Sequence, residues 1–268
     1  MIVDIKHQTI YNFETNVPRL VQSLKLHPSI CKNQKVLHWK ISASHGILEE
    51  SYIDSLGHKV INIYSNNLFG KQIILSEGKI ETKDFQGIVK GLNEKVNPLC
   101  FLRLTELTKP GEKIFELSKK IKKNIDKIEF YHDLNLIVGD CIKFQSGATD
   151  NYTSAEAALQ KGKGVCQDYA HILISLARYL NVPARYINGY IVDDHNKNDN
   201  FTHAWTELFV EDLGWVAFDP SHKKCIDDNY IRVGCGYDFM DASSIRGVKL
   251  NYSGSENLSF KLDISVSQ

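Results

Sequence analysis

The chain has 268 residues, of which 43% are hydrophobic and 24% charged, as in an ordinary globular protein. Its 32 basic and 32 acidic residues cancel, so net charge favours neither nucleic acid nor an anionic membrane as a partner. No segment reaches the roughly 18 apolar residues of a membrane span, and MIVDIKHQTIYNFE is too polar for a signal peptide. The 6 cysteines are scattered without C-x-x-C spacing, so we expect free thiols and a cytoplasmic location.

Alternation of apolar and polar residues runs through roughly the first 90 residues, as expected for half-buried strands. The pattern is clear in VDIKHQTIYNF (3–13) and KVLHWKIS (35–42). After the turn-like SLGHK it returns in VINIY and KQIILSEGKIET (71–82), where the SEG triplet suggests a hairpin. We therefore predict an antiparallel β-sandwich-like N-terminal module over residues 1–95.

The pattern changes after residue 95, where Pro110 and Gly111 interrupt the chain. Helices are predicted over EKIFELSKKIKKNI (112–125), LNLIVGDCIKF (134–144) and AEAALQKG (155–162). Strand patterns return in ARYINGYIV, THAWTELFV, GWVAFDP, NYIRVGCG and LSFKLDISV. Helices followed by strands, without repeated strand–helix–strand units, predict an α+β second part with C-terminal strands over residues 96–268.

A cysteine stands at the predicted start of an apolar helix. Cys166 follows the glycines of KGKGVC, and Ala170, Leu173 and Ala177 continue its buried stripe. Unpaired N–H groups and the macrodipole at a helix start favour an anion, so a thiolate is stabilised there and an oxyanion could be held. The alternative is an inert cysteine, because single cysteines on apolar helix faces usually serve only as packing.

A thiolate nucleophile needs an imidazole beside it, and the imidazole needs an orienting group. His203 and Trp205 share one face of THAWTELFV, and Asp219 lies in GWVAFDP. If three residues (211–213) form the loop between these strands, Trp205 pairs with Asp219, and Asp219 lies diagonal to His203 on the same face. A four-residue loop would put them on opposite faces. We predict the same-face register.

Four segments, GKGVCQDYAH, VPARYINGY, HAWTELF and LGWVAFDPS, resemble the core motifs of the transglutaminase-like superfamily. LKLHP and DSLGHKV resemble the N-terminal module of its bacterial cysteine protease branch, and IRVGCGYDFMDASSIRGV resembles the end of that branch. The resemblance implies a papain-like, transglutaminase-type catalytic core over residues 96–268. It also implies a nucleophile at Cys166, a base at His203 and an orienting carboxylate at Asp219, separated by 37 and 16 residues.

The implied reaction is attack of the Cys166 sulfur on an amide carbonyl, which gives a thioester acyl-enzyme. Bacterial members resemble proteases more often than cross-linkers, so we expect a thiol-dependent amide-bond hydrolase, a peptidase or amidase, acting on a peptide or carboxamide. One alternative is a protein-glutamine acyltransferase that passes the acyl group to an amine. A second is a non-catalytic binding or assembly module. We expect no nucleic-acid or membrane partner and no cofactor, and the oligomeric state stays open.

Two neighbours of the predicted triad are candidate substrate or oxyanion residues. Gln167 could direct its amide at the oxyanion, although its side chain projects about 100° around the helix from the nucleophile. Trp205 could cover the cleft. Asp168 is expected to support the first helical turn, and His171 to be a packed histidine. No metal site is expected, because DDHNKNDN (193–200) lacks the glycine and glutamate of an EF-hand loop and no two cysteines have zinc-ligand spacing.

Overall fold

The computed structural model describes residues 1–122, 126–192 and 202–267. Most of its elements belong to two antiparallel sheets and a group of helices. The strands are β1 (Ile2–Leu24), β2 (Gln34–Ala43), β3 (Ile47–Leu48), β4 (Tyr52–Ile53), β5 (Lys59–Thr82), β6 (Lys143–Phe144), β7 (Lys163–Gly164), β8 (Ala184–Ile191), β9 (Thr202–Val210), β10 (Gly214–Asp219), β11 (Lys224–Cys225), β12 (Tyr230–Gly236), β13 (Ile245–Leu250) and β14 (Glu256–Ser267). The α-helices are α1 (Glu112–Ser118), α2 (Lys127–Gly139), α3 (Ala155–Lys161), α4 (Cys166–Tyr179) and α5 (Phe239–Ala242), and a short 3₁₀ helix covers Pro98–Leu102.

Two long strands, β1 and β5, form the centre of the N-terminal sheet, in the order β13-β1-β5-β2. The alternation seen in the sequence matches the structure, because Val3, Ile5 and Ile80 are buried on one face while their chain neighbours are less buried. A register shift between Phe13 and Val17 interrupts the pairing of β1 with β5. The predicted antiparallel module is therefore confirmed, as one sheet with long central strands.

The hairpin predicted at SEG is wrong. β5 runs without interruption through these residues, and Gly78 pairs with Trp39 of β2. A Cβ atom at Gly78 would lie 2.2 Å from the carbonyl oxygen of His38, so the glycine is there because β2 approaches closely, next to a bulge in that strand. A glycine within a strand-like sequence pattern can therefore indicate either a turn or a position where a neighbouring strand backbone lies close.

The C-terminal strands pair with the N-terminal sheet. β14 runs antiparallel to the first half of β1, and β13 pairs with its second half. The sequence placed these strands in the second part of the chain without a pairing partner, because tail alternation alone does not reveal the partner strand. The boundary at residue 95 itself stays a prediction.

The second sheet has the order β11-β10-β9-β8-β12, and α4 packs against it. The helix is buried along most of its length, and its apolar side chains meet those of β8, β9 and β10 in one cluster that includes Leu173, Leu176, Leu208 and Phe218. Because close-packed side chains resist displacement, this burial fixes the position and direction of the start of α4 relative to the strands. The mixed helix-and-strand class predicted for this part is confirmed.

Two helices differ from their predicted limits. α1 ends at Ser118, whereas the apolar stripe extended to residue 125, and residues 123–125 lie outside the described part of the chain. α2 begins at Lys127, earlier than predicted, because Asp126 caps it by accepting hydrogen bonds from the N–H groups of Ile128 and Glu129. Among the described residues, no helix is long and apolar enough to span a bilayer.

The close approach at Gly78 gives a stability prediction. Gly78→Ala should lower the free energy of unfolding by about 2 kcal/mol, because the new methyl group displaces β2 from β5. Urea denaturation followed by circular dichroism measures the change. Glu77→Ala, one residue earlier, is the matched control and should cost less than about 1 kcal/mol. Equal losses in the two variants would contradict the proposed role of the glycine.

Candidate active site

Cys166 is the first residue of α4, as predicted, and its side chain is partly exposed. Local hydrogen bonds fix this helix start. One Asp168 carboxylate oxygen accepts from the Val165 N–H at 2.7 Å and from the Thr149 hydroxyl at 2.6 Å. A Cβ atom at Gly164 would meet that carboxylate at 2.6 Å, which explains the second glycine of KGKGVC. Asp168 thus supports the first turn, as expected from its position.

The β9–β10 hairpin places the predicted imidazole and carboxylate together. Val210 pairs with Gly214, so the loop has three residues, and continuing the register puts Asp219 opposite Trp205. Asp219 is then diagonal to His203 on the same face, and His203 Nε2 lies 2.6 Å from Asp219 Oδ2. The predicted register is confirmed.

The Cys166 thiol interacts with the His203 ring, and its hydrogen bond and charge help to raise the pKa of that imidazole. Nε2 is occupied by Asp219, so Nδ1 is the ring nitrogen left for the sulfur. The structure thus brings all three predicted residues into one chain of contacts, from Cys166 through His203 to Asp219. Two elements distant in sequence, a helix start and a hairpin, meet at the imidazole.

Burial and charge act in opposite directions on His203 and Asp219. Burial favours the neutral His203 ring, but the hydrogen bonds to Asp219 and Cys166 outweigh it and raise the pKa of His203 from 6.5 to about 10. Burial would likewise raise the pKa of Asp219, yet the hydrogen bonds from His203 and His222 hold it well below its usual range. A histidine with a raised pKa stabilises the fold fully below pH 6.5, and that contribution is lost as the pH rises to about 10.

Asp219 has more partners than the sequence analysis predicted. Its Oδ2 also accepts from His222 Nδ1 at 2.7 Å and from the Tyr230 hydroxyl at 2.8 Å. Its Oδ1 accepts from the Ser221 hydroxyl at 2.6 Å. The pattern D-P-S-H could have indicated Ser221 and His222, because an aspartate often bonds residues two and three positions later. Tyr230 reaches the site from β12, and local sequence carries no signal for that.

Two family models match the chain. The transglutaminase-like superfamily model matches residues 108–220, which contain Cys166, His203 and Asp219, and the bacterial transglutaminase-like N-terminal region matches residues 3–69. The chain therefore contains a transglutaminase-like core and a bacterial transglutaminase-like N-terminal region. The fold inferred from the resemblance, a transglutaminase-like core with a sheet-rich N-terminal part, is confirmed.

Relatives and a solved structure match longer parts of the chain than the family models do. An uncharacterised protein of Mycobacterium leprae is 24% identical over 266 residues, which is 93% of this chain and 92% of the relative. An uncharacterised protein of Mycobacterium bovis is 30% identical over 149 residues, covering 52% of this chain and 46% of the relative. A solved structure of a candidate cysteine protease from Cytophaga hutchinsonii superposes with a TM-score of 0.79 at 18% identity, covering 99% of this chain and 90% of that one. This chain therefore shares the fold of that structure over nearly its whole length.

The two substrate or oxyanion candidates occupy different surroundings in the transglutaminase-like core. The Gln167 amide donates to the Asp150 carbonyl oxygen at 3.4 Å, so it is directed at a loop. Trp205 is fully buried, its ring lying 6.3 Å from the His203 ring and 5.4 Å from that of Tyr230. Trp205 thus packs against the imidazole, and a substrate role for either residue stays a prediction.

The remaining expectations concern a histidine and a loop. His171 is a packed histidine, because it is fully buried and its Nε2 accepts from the Phe239 N–H at 3.1 Å. Burial lowers the pKa of His171 to about 4, so the ring is neutral. Residues 193–200, considered for calcium in the sequence, lie outside the described residues.

The raised pKa of His203 can be measured. We expect its ring to stay protonated at pH 8 in the wild-type protein, because Asp219 and Cys166 both stabilise the cation. In Asp219→Asn the ring should titrate at a clearly lower pH. NMR of imidazole-labelled protein follows this titration. A His203 titration near pH 6.5 in the wild type would contradict the assignment.

Proposed function

We propose that this protein is a thiol-dependent amide-bond hydrolase, a peptidase or amidase, that acts through Cys166, His203 and Asp219. The observation that supports it best is the position of His203, which is hydrogen-bonded to Asp219 and whose pKa is raised by both Asp219 and the Cys166 thiol. A buried imidazole between a partly exposed thiol and a buried carboxylate is the arrangement that activates a cysteine nucleophile.

In the first step the Cys166 sulfur attacks the amide carbonyl carbon, and His203 holds the proton that leaves the thiol. The carbonyl oxygen becomes an oxyanion near the start of α4. The first-turn N–H groups of a helix, here those of Cys166 and Gln167, have no acceptor within the helix and can donate to that oxygen. The helix dipole has the favourable sign for both the sulfur anion and the oxyanion.

In the second step the carbon–nitrogen bond breaks, and His203 gives its proton to the departing amine. The acyl group remains on the Cys166 sulfur as a thioester. Water then attacks the thioester carbonyl while His203 accepts a proton from it, which releases the carboxylic acid and restores the thiol. Throughout these transfers Asp219 keeps the ring oriented and stabilises its cationic form.

Hydrolysis and acyl transfer differ in the molecule that attacks the thioester. The same residues would serve a protein-glutamine acyltransferase, in which an amine replaces water in the last step. The similar Cytophaga hutchinsonii structure is described as a candidate cysteine protease, and we extend that reaction class to this chain. We further propose a peptide or carboxamide as substrate, a cytoplasmic location and a reaction that needs no cofactor.

Thiol reactivity distinguishes an enzyme from a binding module with an unused triad. Iodoacetamide at pH 6 should label Cys166 several times faster than the exposed Cys100, because only Cys166 has the His203 imidazole beside it. Burial raises the pKa of the thiols of Cys141 and Cys225, to about 12 and about 11, so these should react slowly. Peptide mass spectrometry gives the rate at each position.

His203→Ala is the control for this experiment, and it should bring the Cys166 rate down to that of Cys100. Equal rates at the two cysteines in the wild-type protein would favour the binding-module alternative.

Turnover should depend on the sulfur itself. Cys166→Ala should abolish release of amine from a peptide or carboxamide library and leave the melting temperature within a few degrees, since the side chain is small and partly exposed. Cys100→Ala is the matched control and should retain full activity. A Cys166→Ala protein with full activity would refute the mechanism.

The products identify the reaction. Incubation with a glutamine-containing peptide and a labelled primary amine should give the hydrolysed acid as the main product. Incorporation of the amine in excess of the acid would instead identify an acyltransferase. Mass spectrometry of both products in one sample makes the comparison.

A further inference from the structure

Three donor atoms of the kinds that zinc prefers converge beside the proposed nucleophile. One such atom each from His203, Asp219 and His222 lies within 4.8 Å of the others, and His203 Nε2 and His222 Nδ1 both contact Asp219 Oδ2. Two imidazole nitrogens and one carboxylate form a recurrent zinc-binding set, in which the fourth position is left to water or another small ligand. We propose that these residues form an inhibitory site for Zn²⁺ and similar divalent cations. Binding itself is independent of the proposed function, whereas inhibition rests on it.

The distances allow a metal with a small displacement. His203 Nε2 and His222 Nδ1 now lie 2.6 and 2.7 Å from Asp219 Oδ2 as hydrogen-bonded partners. Ligand atoms on a tetrahedral zinc with bonds of about 2.0–2.2 Å are about 3.3 Å apart, so these pairs must separate by roughly 0.6 Å. His222 can supply the movement within its own pair, because 48% of its side chain is exposed, whereas the His203–Asp219 pair must open by a shift of buried side chains. The same exposure gives the cation a path from solvent.

Asp219 is suited to be the anionic ligand. The carboxylate is fully buried, and side chains on several sides already donate hydrogen bonds to its oxygens. Its Oδ1 accepts from Ser221 and its Oδ2 also accepts from Tyr230, and these hydrogen bonds would keep the carboxylate oriented when the metal is bound. Placing a dication beside this buried anion replaces two hydrogen-bonded protons with a stronger electrostatic partner.

Zinc at this position would block the proton transfer. Nε2 of His203 and Nδ1 of His222 now donate to Asp219. When the metal binds, each of these nitrogens must instead offer a lone pair to the metal. His222 keeps its proton on the exposed nitrogen. A His203 ring bound through Nε2 keeps its one proton on Nδ1, facing Cys166, and a ring that was cationic releases its other proton to solvent. His203 then has no lone pair with which to accept the thiol proton.

His222 makes the difference between this site and an ordinary triad. A His203–Asp219 pair alone offers two protein ligands, fewer than zinc sites normally have, and His222 supplies the third. The test therefore uses His222→Asn. The asparagine amide can still donate to Asp219, but it is a poor zinc ligand, so this variant separates the hydrogen bond from the metal bond.

The experiment is equilibrium dialysis of the full chain against ZnCl₂, with Co²⁺ absorption to report the ligand set. We expect one tightly held Zn²⁺ in the wild type and in Cys166→Ala. In His222→Asn we expect zinc binding to weaken by more than the roughly 10–100-fold that loss of a residue hydrogen-bonded to a metal ligand costs. His132→Asn, at an exposed position of α2, is the matched control and should bind as the wild type does. Circular dichroism verifies that each variant is folded, and His222→Gln provides a second variant at the same position.

Each outcome is decisive. Zinc binding that survives in both His222 variants, or that is lost in Cys166→Ala, would overturn the proposed ligand set; the second result would place the metal on the thiol. A Co²⁺ spectrum with intense thiolate charge-transfer bands would overturn it as well. Where turnover is measurable, zinc should inhibit the wild type at least tenfold more strongly than His222→Asn. Binding without inhibition would uphold the metal site and count against His203 as the base.

Discussion

The Asp219 carboxylate is the group on which the site depends. A carboxylate with no exposed surface is stable only if hydrogen bonds and nearby positive charge replace the lost water. Here the replacements are the side chains of His203, His222, Tyr230 and Ser221. They come from β9, from the turn after β10 and from β12. The hydrogen bonds that compensate the buried charge of Asp219 therefore also fix these three segments relative to one another.

The hairpin register is the second constraint, because it decides whether the imidazole meets that carboxylate at all. A shift of one residue between β9 and β10 would move Asp219 to the opposite face of the sheet from His203. The three-residue loop prevents the shift. It contains Asp212 at φ 71° and leads into Gly214 at φ 83°, which are turn conformations that fix the strand exit. A short polar loop thus determines the geometry of a site at the other end of the hairpin.

Much of this arrangement could be predicted from the sequence, because the decisive interactions are encoded locally. The start of α4 at Cys166 follows from glycines before an apolar stripe, and the contact of His203 with Asp219 follows from loop length and two-residue alternation. What could not be predicted is set by partners distant in sequence. The fit of Gly78 against β2 is one case, and the approach of Tyr230 to Asp219 is another. Local pattern specifies which face a side chain occupies, but not which strand lies opposite.

Contacts between residues distant in sequence also link the N-terminal module to the site. Arg232, in β12, forms a buried ion pair at 2.8 Å with Glu207 of β9, and its guanidinium also donates to the Ser29 hydroxyl at 2.7 Å. The Gln34 side chain bonds both the N–H and the carbonyl of Arg232, at 2.9 and 2.8 Å. Removing one partner of a buried ion pair would leave the other charge uncompensated, so this contact resists displacement of β12. Because Tyr230 lies two residues earlier in β12, the N-terminal module holds in place the strand that brings the tyrosine hydroxyl to the carboxylate.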